Sequence, residues 1–228
     1  MNIEEAIRNI SIMAVPVLMA VTFHELAHGW MAEKLGDKTA RMAGRLTLNP
    51  FKHLDLVGSA VFLITQFIGW AKPVPVNIRN LKNPKKDMVW VALAGPLSNI
   101  FLAIVCTLLY KIFQWADPLY ISFTGPALEH RYPSLGALPF FYLITIPLYW
   151  MIIISIQLNV ALAIFNLIPL PPLDGGRIMT GVLPYRQAVG FSKVEPYGFL
   201  ILILLLASGA IDSLLFPLMR GVLVTLLT

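Results

Sequence analysis

Apolar residues run along the chain in long blocks at 6–31, 88–113, 140–168 and 197–227, with a shorter block at 56–71. Each long block meets the length of about 20 residues that a helix needs to cross the hydrocarbon of a bilayer. The pattern predicts an all-α polytopic membrane protein of about five to six membrane helices. The last block is interrupted by SGAIDS at 208–213, which leaves room for two short helices in place of one. The 56–71 block is short for a span, contains Gln66 and Gly69, and has basic sequence on both flanks. It is expected to re-enter the membrane rather than cross it.

Composition sharpens this picture. The chain of 228 residues is 57% hydrophobic and 13% charged, where an ordinary soluble domain carries about a quarter charged residues. The formal net charge of +5 would suit nucleic acid, but ten of the 17 Lys and Arg residues fall between Lys34 and Lys86, on either side of the short block. The stretch from Lys111 to Pro139 carries only Lys111 and Arg131. That asymmetry is the positive-inside signature of cytoplasmic loops, and no nucleic-acid partner is expected. The lone Cys106 lies in an apolar block and reads as a small buried hydrophobe. The start, MNIEEAIRNI, lacks a basic region and a small-residue cleavage site, so the first block is expected to be a retained span.

At the end of that first block stands His24-Glu25-Leu26-Ala27-His28. Ionisable residues in a membrane are costly and are kept where they act. On a helix, positions four apart share a face, offset by about 40° and about 6 Å along the axis. Two imidazoles so placed bind one Zn²⁺, and the glutamate beside the first acts on a water as general base. The same cluster, taken alone, would also suit an ion path through a transporter or a scaffold that binds membrane proteins without cleaving them.

A hydrolytic zinc site needs a third protein ligand and an open position. His53 sits in a basic interfacial stretch and His130 in the loop assigned to the opposite face. Asp174, in NLIPLPPLDGGR at 166–177, is the better candidate. Pro169, Pro171 and Pro172 end a helix there and favour extended backbone. Gly175 and Gly176 are expected to allow a tight turn that aims the carboxylate, and broken backbone at membrane depth is tolerated where it is buried or lines a wet cavity.

HELAH in the first span, GWAKPVPVN at 69–77, ALAGPLSN at 92–99 and NLIPLPPLDGG near the end of a later span occur in this order. Together they resemble the site-2 protease family of intramembrane zinc metalloproteases, in its compact bacterial and archaeal branch without PDZ or CBS domain. The resemblance covers about residues 15–180. It implies His24, His28 and Asp174 as zinc ligands, Glu25 as base, and Asn166, eight residues ahead of the aspartate, as a donor to the substrate carbonyl or oxyanion. It also implies transmembrane protein substrates within the lipid bilayer and a prokaryotic cell-membrane location. Gly95 and Asn99 match the family's G-x-x-x-N segment, where the glycine is expected to allow close helix packing. Leu56 stands where a proline would follow Asp55, so no role is assigned to His53 or Asp55. The whole chain, 1–228, is expected to be one domain, with a catalytic core at about 15–180 and a C-terminal helical hairpin at about 195–228.

Topology is consistent with these assignments. With the first span running from outside to cytoplasm, block 88–113 returns outward and 140–168 comes back in, so that Asp174 reaches the same side as the histidines. KPVPVN alternates with period two and has prolines that bar an interior strand; it is expected to form an extended edge able to hold an unwound substrate by β-addition. Single cysteines placed in a Cys106→Ala background should label with an impermeant thiol reagent from one face at 34–55 and 72–87, and from the other between Lys111 and Pro139. Labelling of 34–55 and 72–87 from opposite faces would mean that 56–71 crosses.

Overall fold

A computed structural model describes residues 3–65, 69–116 and 140–227. The loop expected on the outer face, with His130, lies mostly outside the described residues. Nine α-helices are described: α1 (Ile3–Lys34), α2 (Thr39–Met42), α3 (Leu56–Thr65), α4 (Pro84–Ala116), α5 (Phe140–Asn166), α6 (Asp174–Val182), α7 (Tyr185–Ser192), α8 (Glu195–Ala207) and α9 (Ala210–Leu227). Short 3-10 turns occupy Pro50–Lys52 and Ile78–Asn80.

Three stretches are long and apolar enough to cross a membrane: Ile7–Lys34 in α1, Pro84–Ala116 in α4 and Ile144–Asn166 in α5. A fourth arises if α7 and α8, bent by 62° at their junction, count as one broken span. The chain is thus a multi-pass helical membrane protein, with three clear spans, or four with the bent pair, among the described residues. The last apolar block is two helices, parted at Ser208–Gly209, where Gly209 takes a positive φ of 72°. Within the 56–71 block, α3 covers 10 residues.

No strand forms among the described residues. Leu54 and Ala71 make one isolated antiparallel bridge, and the Lys72 N–H donates to the His53 carbonyl at 2.9 Å. Beyond it Pro73 and Pro75 have no N–H to continue a ladder, so the expected β-like segment reduces to a bridge followed by irregular chain.

Helix α4 is the centre of the bundle and packs against α1, α5 and α6. It runs antiparallel to α1, since Ala20 and His24 meet Asn99 while His28 meets Val91. This pairing is what brings the end of α1, the start of α4 and the segment after α5 to one end of the bundle. At the other end Ile12, Ile146, Tyr149, Trp150 and Ile153 form a buried cluster bordered by Tyr110 and Phe113. Exposed apolar side chains such as Phe101 and Leu108 on α4 face outward, as lipid-facing positions of a span do.

Just past α1, Asp37 is fully buried and ties two distant stretches together. Its Oδ1 accepts from the Thr39 N–H at 3.0 Å, the Thr39 hydroxyl and the Asn80 side-chain amide at 2.9 Å, and its Oδ2 accepts from the Asn77 N–H at 2.6 Å. Burial pushes the Asp37 carboxyl up, but the hydrogen bonds from Thr39, Asn80 and Asn77 outweigh it and hold the group below its ordinary value. Asp37→Ala should destabilise the detergent-solubilised protein by at least about 2 kcal/mol, because several buried donors lose their acceptor. Because the folded-state value is depressed, the contribution of Asp37 is present above the usual aspartate value of about 4 and is lost as the pH falls through the folded value. Melting curves of wild type and Asp37→Ala should therefore converge as the medium is acidified; parallel curves would show that the carboxylate does not carry this junction.

Candidate metal centre

His24 and His28 project from the last third of α1, and both rings are buried against α4. Asp174 opens α6, which begins directly after the proline-rich break that follows α5. The two Nε2 atoms lie 3.0 Å apart, and Asp174 Oδ2 lies 3.2 Å from each. Among the described residues these three form a group able to hold a metal ion.

The hydrogen bonds behind the rings decide what faces the centre. His24 Nδ1 is 2.6 Å from Asn99 Oδ1, and His28 Nδ1 is 2.7 Å from the Val91 carbonyl. The Asn99 amide nitrogen donates to the Ala20 carbonyl at 3.2 Å and to Asn159 Oδ1 at 2.8 Å, which leaves its oxygen toward His24. Carbonyl oxygens only accept, so each Nδ1 carries a proton, and each Nε2 is turned inward towards the other ring and Asp174. The 3.2 Å approaches would be ion pairs if a ring were doubly protonated. Yet Asp174 Oδ2, although buried, receives no hydrogen bond, the geometry of ligands facing a shared centre rather than of a closed pair.

Zinc fits these residues. Tetrahedral bonds of about 2.0–2.1 Å place neighbouring ligand atoms about 3.3–3.4 Å apart, close to the spacing found here. Without a cation, two lone pairs and a carboxylate oxygen would crowd one another in a buried place, where repulsion is poorly screened.

Small residues make the room. A Cβ on Gly95 would lie 2.4 Å from His28 Nε2 and 2.6 Å from His24 Cε1. The close packing expected of Gly95 is thus the seat of the imidazole pair itself. Gly175 and Gly176 do not form the expected turn. They lie in the first turn of α6, where a Cβ on Gly175 would come within 2.2 Å of the Ile168 carbonyl and one on Gly176 within 2.5 Å of the Pro171 nitrogen. Their role is to let α6 press onto the proline-rich chain and bring Asp174 in.

Glu25 lies outside the triad. Its Oε2 accepts from the Val74 N–H at 2.7 Å, which links the HELAH helix to KPVPVN. That segment is anchored on either side: Arg45 Nη2 donates to the Lys72 carbonyl at 2.6 Å, and the Asn77 N–H is held by Asp37. Asn166 is the last residue of α5, and its amide nitrogen donates to the Leu162 carbonyl of the same helix at 3.0 Å; the structure does not bring it into the triad. His53 is buried with Nε2 2.9 Å from the Thr47 carbonyl, and Asp55 Oδ1 accepts from the Gly58 N–H, so both serve their own loop. The support given to the rings by Asn99 and by the Val91 carbonyl had no separate sign in the sequence beyond the G-x-x-x-N spacing.

The chain is 37% identical over 210 residues to "Putative zinc metalloprotease YwhC" of Bacillus subtilis (strain 168), covering 92% of this chain and 86% of that one. It is 27% identical over 206 residues to "Putative zinc metalloprotease Rip2" of Mycolicibacterium smegmatis, covering 88% and 68% respectively. No solved structure matches it at a significant level. The family model described as Peptidase family M50 matches residues 12–209. With the family model spanning most of the sequence, the chain belongs to peptidase family M50, the site-2 proteases.

Proposed function

We infer that this chain is an intramembrane zinc metalloendopeptidase that hydrolyses peptide bonds in or beside the transmembrane segments of other membrane proteins, with His24, His28 and Asp174 as the zinc ligands. The observation that carries this reading is the three-atom donor set, in which both imidazole tautomers are set from behind and the carboxylate oxygen is left without a hydrogen bond. Family membership and the names of its relatives point the same way.

Zinc, when bound, supplies Lewis-acid polarisation of the scissile carbonyl and lowers the pKa of water towards about 7. Glu25 is the general base. The Val74 N–H donates to its Oε2 and orients the carboxylate, which takes the proton from the attacking water and hands it to the leaving amine nitrogen. Asn166 uses one amide hydrogen on Leu162, and the second is available to hold the scissile carbonyl oxygen. The segment 72–77, held by Arg45 and Asp37, receives the unwound substrate along its edge. Its position against Glu25 supports that role.

The rest of the architecture follows from the same reading. The chain forms one catalytic domain, with α3 embedded without crossing and α8 and α9 forming a C-terminal hairpin. The end of the bundle that carries the triad also carries Lys34, Lys85 and Lys86, which supports a cytoplasmic-facing site in a prokaryotic cell membrane.

Purified protein should hold about one zinc per chain. His28→Ala and Asp174→Ala should lose it, and Gly95→Ala should lose it too, because the added methyl displaces both rings. Glu25→Gln should keep fold and zinc while cleavage of a model transmembrane segment in liposomes falls by at least about 10²-fold, with phenanthroline abolishing wild-type cleavage in parallel. Zinc retained after loss of both His28 and Asp174 would move the site elsewhere. A wild type that cleaves no membrane segment, with solute flux altered in Glu25→Gln, would replace the protease by a transporter.

A further inference from the structure

Asn159 lies on α5, 2% exposed, and belongs to none of the motifs that mark the site. Its amide nitrogen donates to the Ser155 carbonyl at 2.8 Å, and its Oδ1 accepts from the Asn99 amide nitrogen at 2.8 Å. Asn99, with no exposed surface on α4, in turn offers its Oδ1 to His24 Nδ1 on α1. Three helices are therefore joined by one buried chain of polar groups that ends on a ring facing the metal centre.

The chain has a direction. The Ser155 carbonyl can only accept, so it draws the Asn159 nitrogen towards itself and turns Asn159 Oδ1 towards Asn99. That oxygen, together with the Ala20 carbonyl at 3.2 Å, requires the Asn99 nitrogen to face them and its oxygen to face His24. The oxygen then requires the proton on His24 Nδ1. What arrives at the far end is an Nε2 lone pair. Each link is obligatory because a buried donor or acceptor left unmatched costs about 1–3 kcal/mol.

We propose that Asn159 is a positioning residue for the metal centre: it fixes the amide orientation of Asn99, and through it the tautomer and ring direction of His24. The inference rests on the ligand set given above. Loss of an outer partner of a ligating histidine characteristically weakens metal binding by 10–100-fold. A purely structural role for Asn159, by contrast, would weaken the fold without regard to whether an acceptor faces Asn99.

The test is zinc affinity, measured by chelator competition on full-length protein in detergent, with melting of the zinc-free protein recorded alongside. Asn159→Leu keeps the volume and removes both polar groups; zinc affinity should fall by about tenfold or more. Asn159→Asp, protonated in this buried place so that its O–H donates to the Ser155 carbonyl, keeps an oxygen acceptor towards Asn99 and should remain within about threefold of wild type. Thr107→Val removes another buried polar group of α4, one whose hydroxyl donates to the Ala103 carbonyl of its own helix, and should leave zinc affinity unchanged. Wild-type affinity in Asn159→Leu, equal losses in Asn159→Leu and Asn159→Asp, or a comparable loss in Thr107→Val would each overturn the proposal. Absence of zinc from the wild type, or its retention in a His24→Ala, His28→Ala double variant, would overturn the ligand set itself, and the polarity chain with it.

Discussion

Three electron-rich atoms, two imidazole nitrogens and a carboxylate oxygen, meet within about 3 Å at the buried end of a helix bundle, and everything around them exists to make that tolerable and repeatable. Left to themselves they would separate or pick up protons. The Val91 carbonyl and Asn99 hold the rings from behind, Gly95 withdraws the side chain that would displace them, and the first turn of α6 seats against the proline-rich chain to deliver Asp174. The bundle therefore spends part of its packing on a convergence that only a cation makes favourable. A convergence of this kind is what a metal site built into a fold requires.

Much of this was legible in the order of residues. Long apolar blocks mark α1, α4 and α5 because a bilayer imposes a minimum length on a helix, and the four-residue spacing of His24 and His28 puts two imidazoles on one helix face whatever the surroundings. Asp174 stood out because prolines break the helix just ahead of it. What the glycines after it do was not legible. An Asp-Gly-Gly run reads locally as a turn, yet here the backbone is helical and the missing Cβ atoms matter because the Ile168 carbonyl and the Pro171 nitrogen press in from a preceding segment. The first-turn helix α6 and the short α7 were likewise hidden, since GGRIMTGVLPYRQAVGFSK has neither a long apolar run nor a side-chain cap.

Long-range partnerships were the other blind spot. Asn99 and His24 are 75 residues apart in sequence, and a polar residue in an apolar helix announces that it has a partner without saying which. The same holds for Asp37, whose acceptor role towards Asn77 and Asn80 appears only once the chain after α3 returns to the end of α1. The bridge between Leu54 and Ala71 shows the complementary limit: alternation predicted an extended edge, but prolines at alternate positions leave too few N–H groups for a ladder to register.

That shortage has its own outcome for how copies of the molecule behave in a crowded membrane. Along 72–77, Pro73 and Pro75 have no donor, while the N–H groups of Lys72, Val74 and Asn77 are spent on His53, Glu25 and Asp37. Among the described residues only the Val76 N–H is left. Two such stretches brought side by side present carbonyl to carbonyl and cannot zip into a sheet. The segment lying against Glu25 is thus insulated from its own twin, and any polypeptide that settles along it must bring the hydrogens.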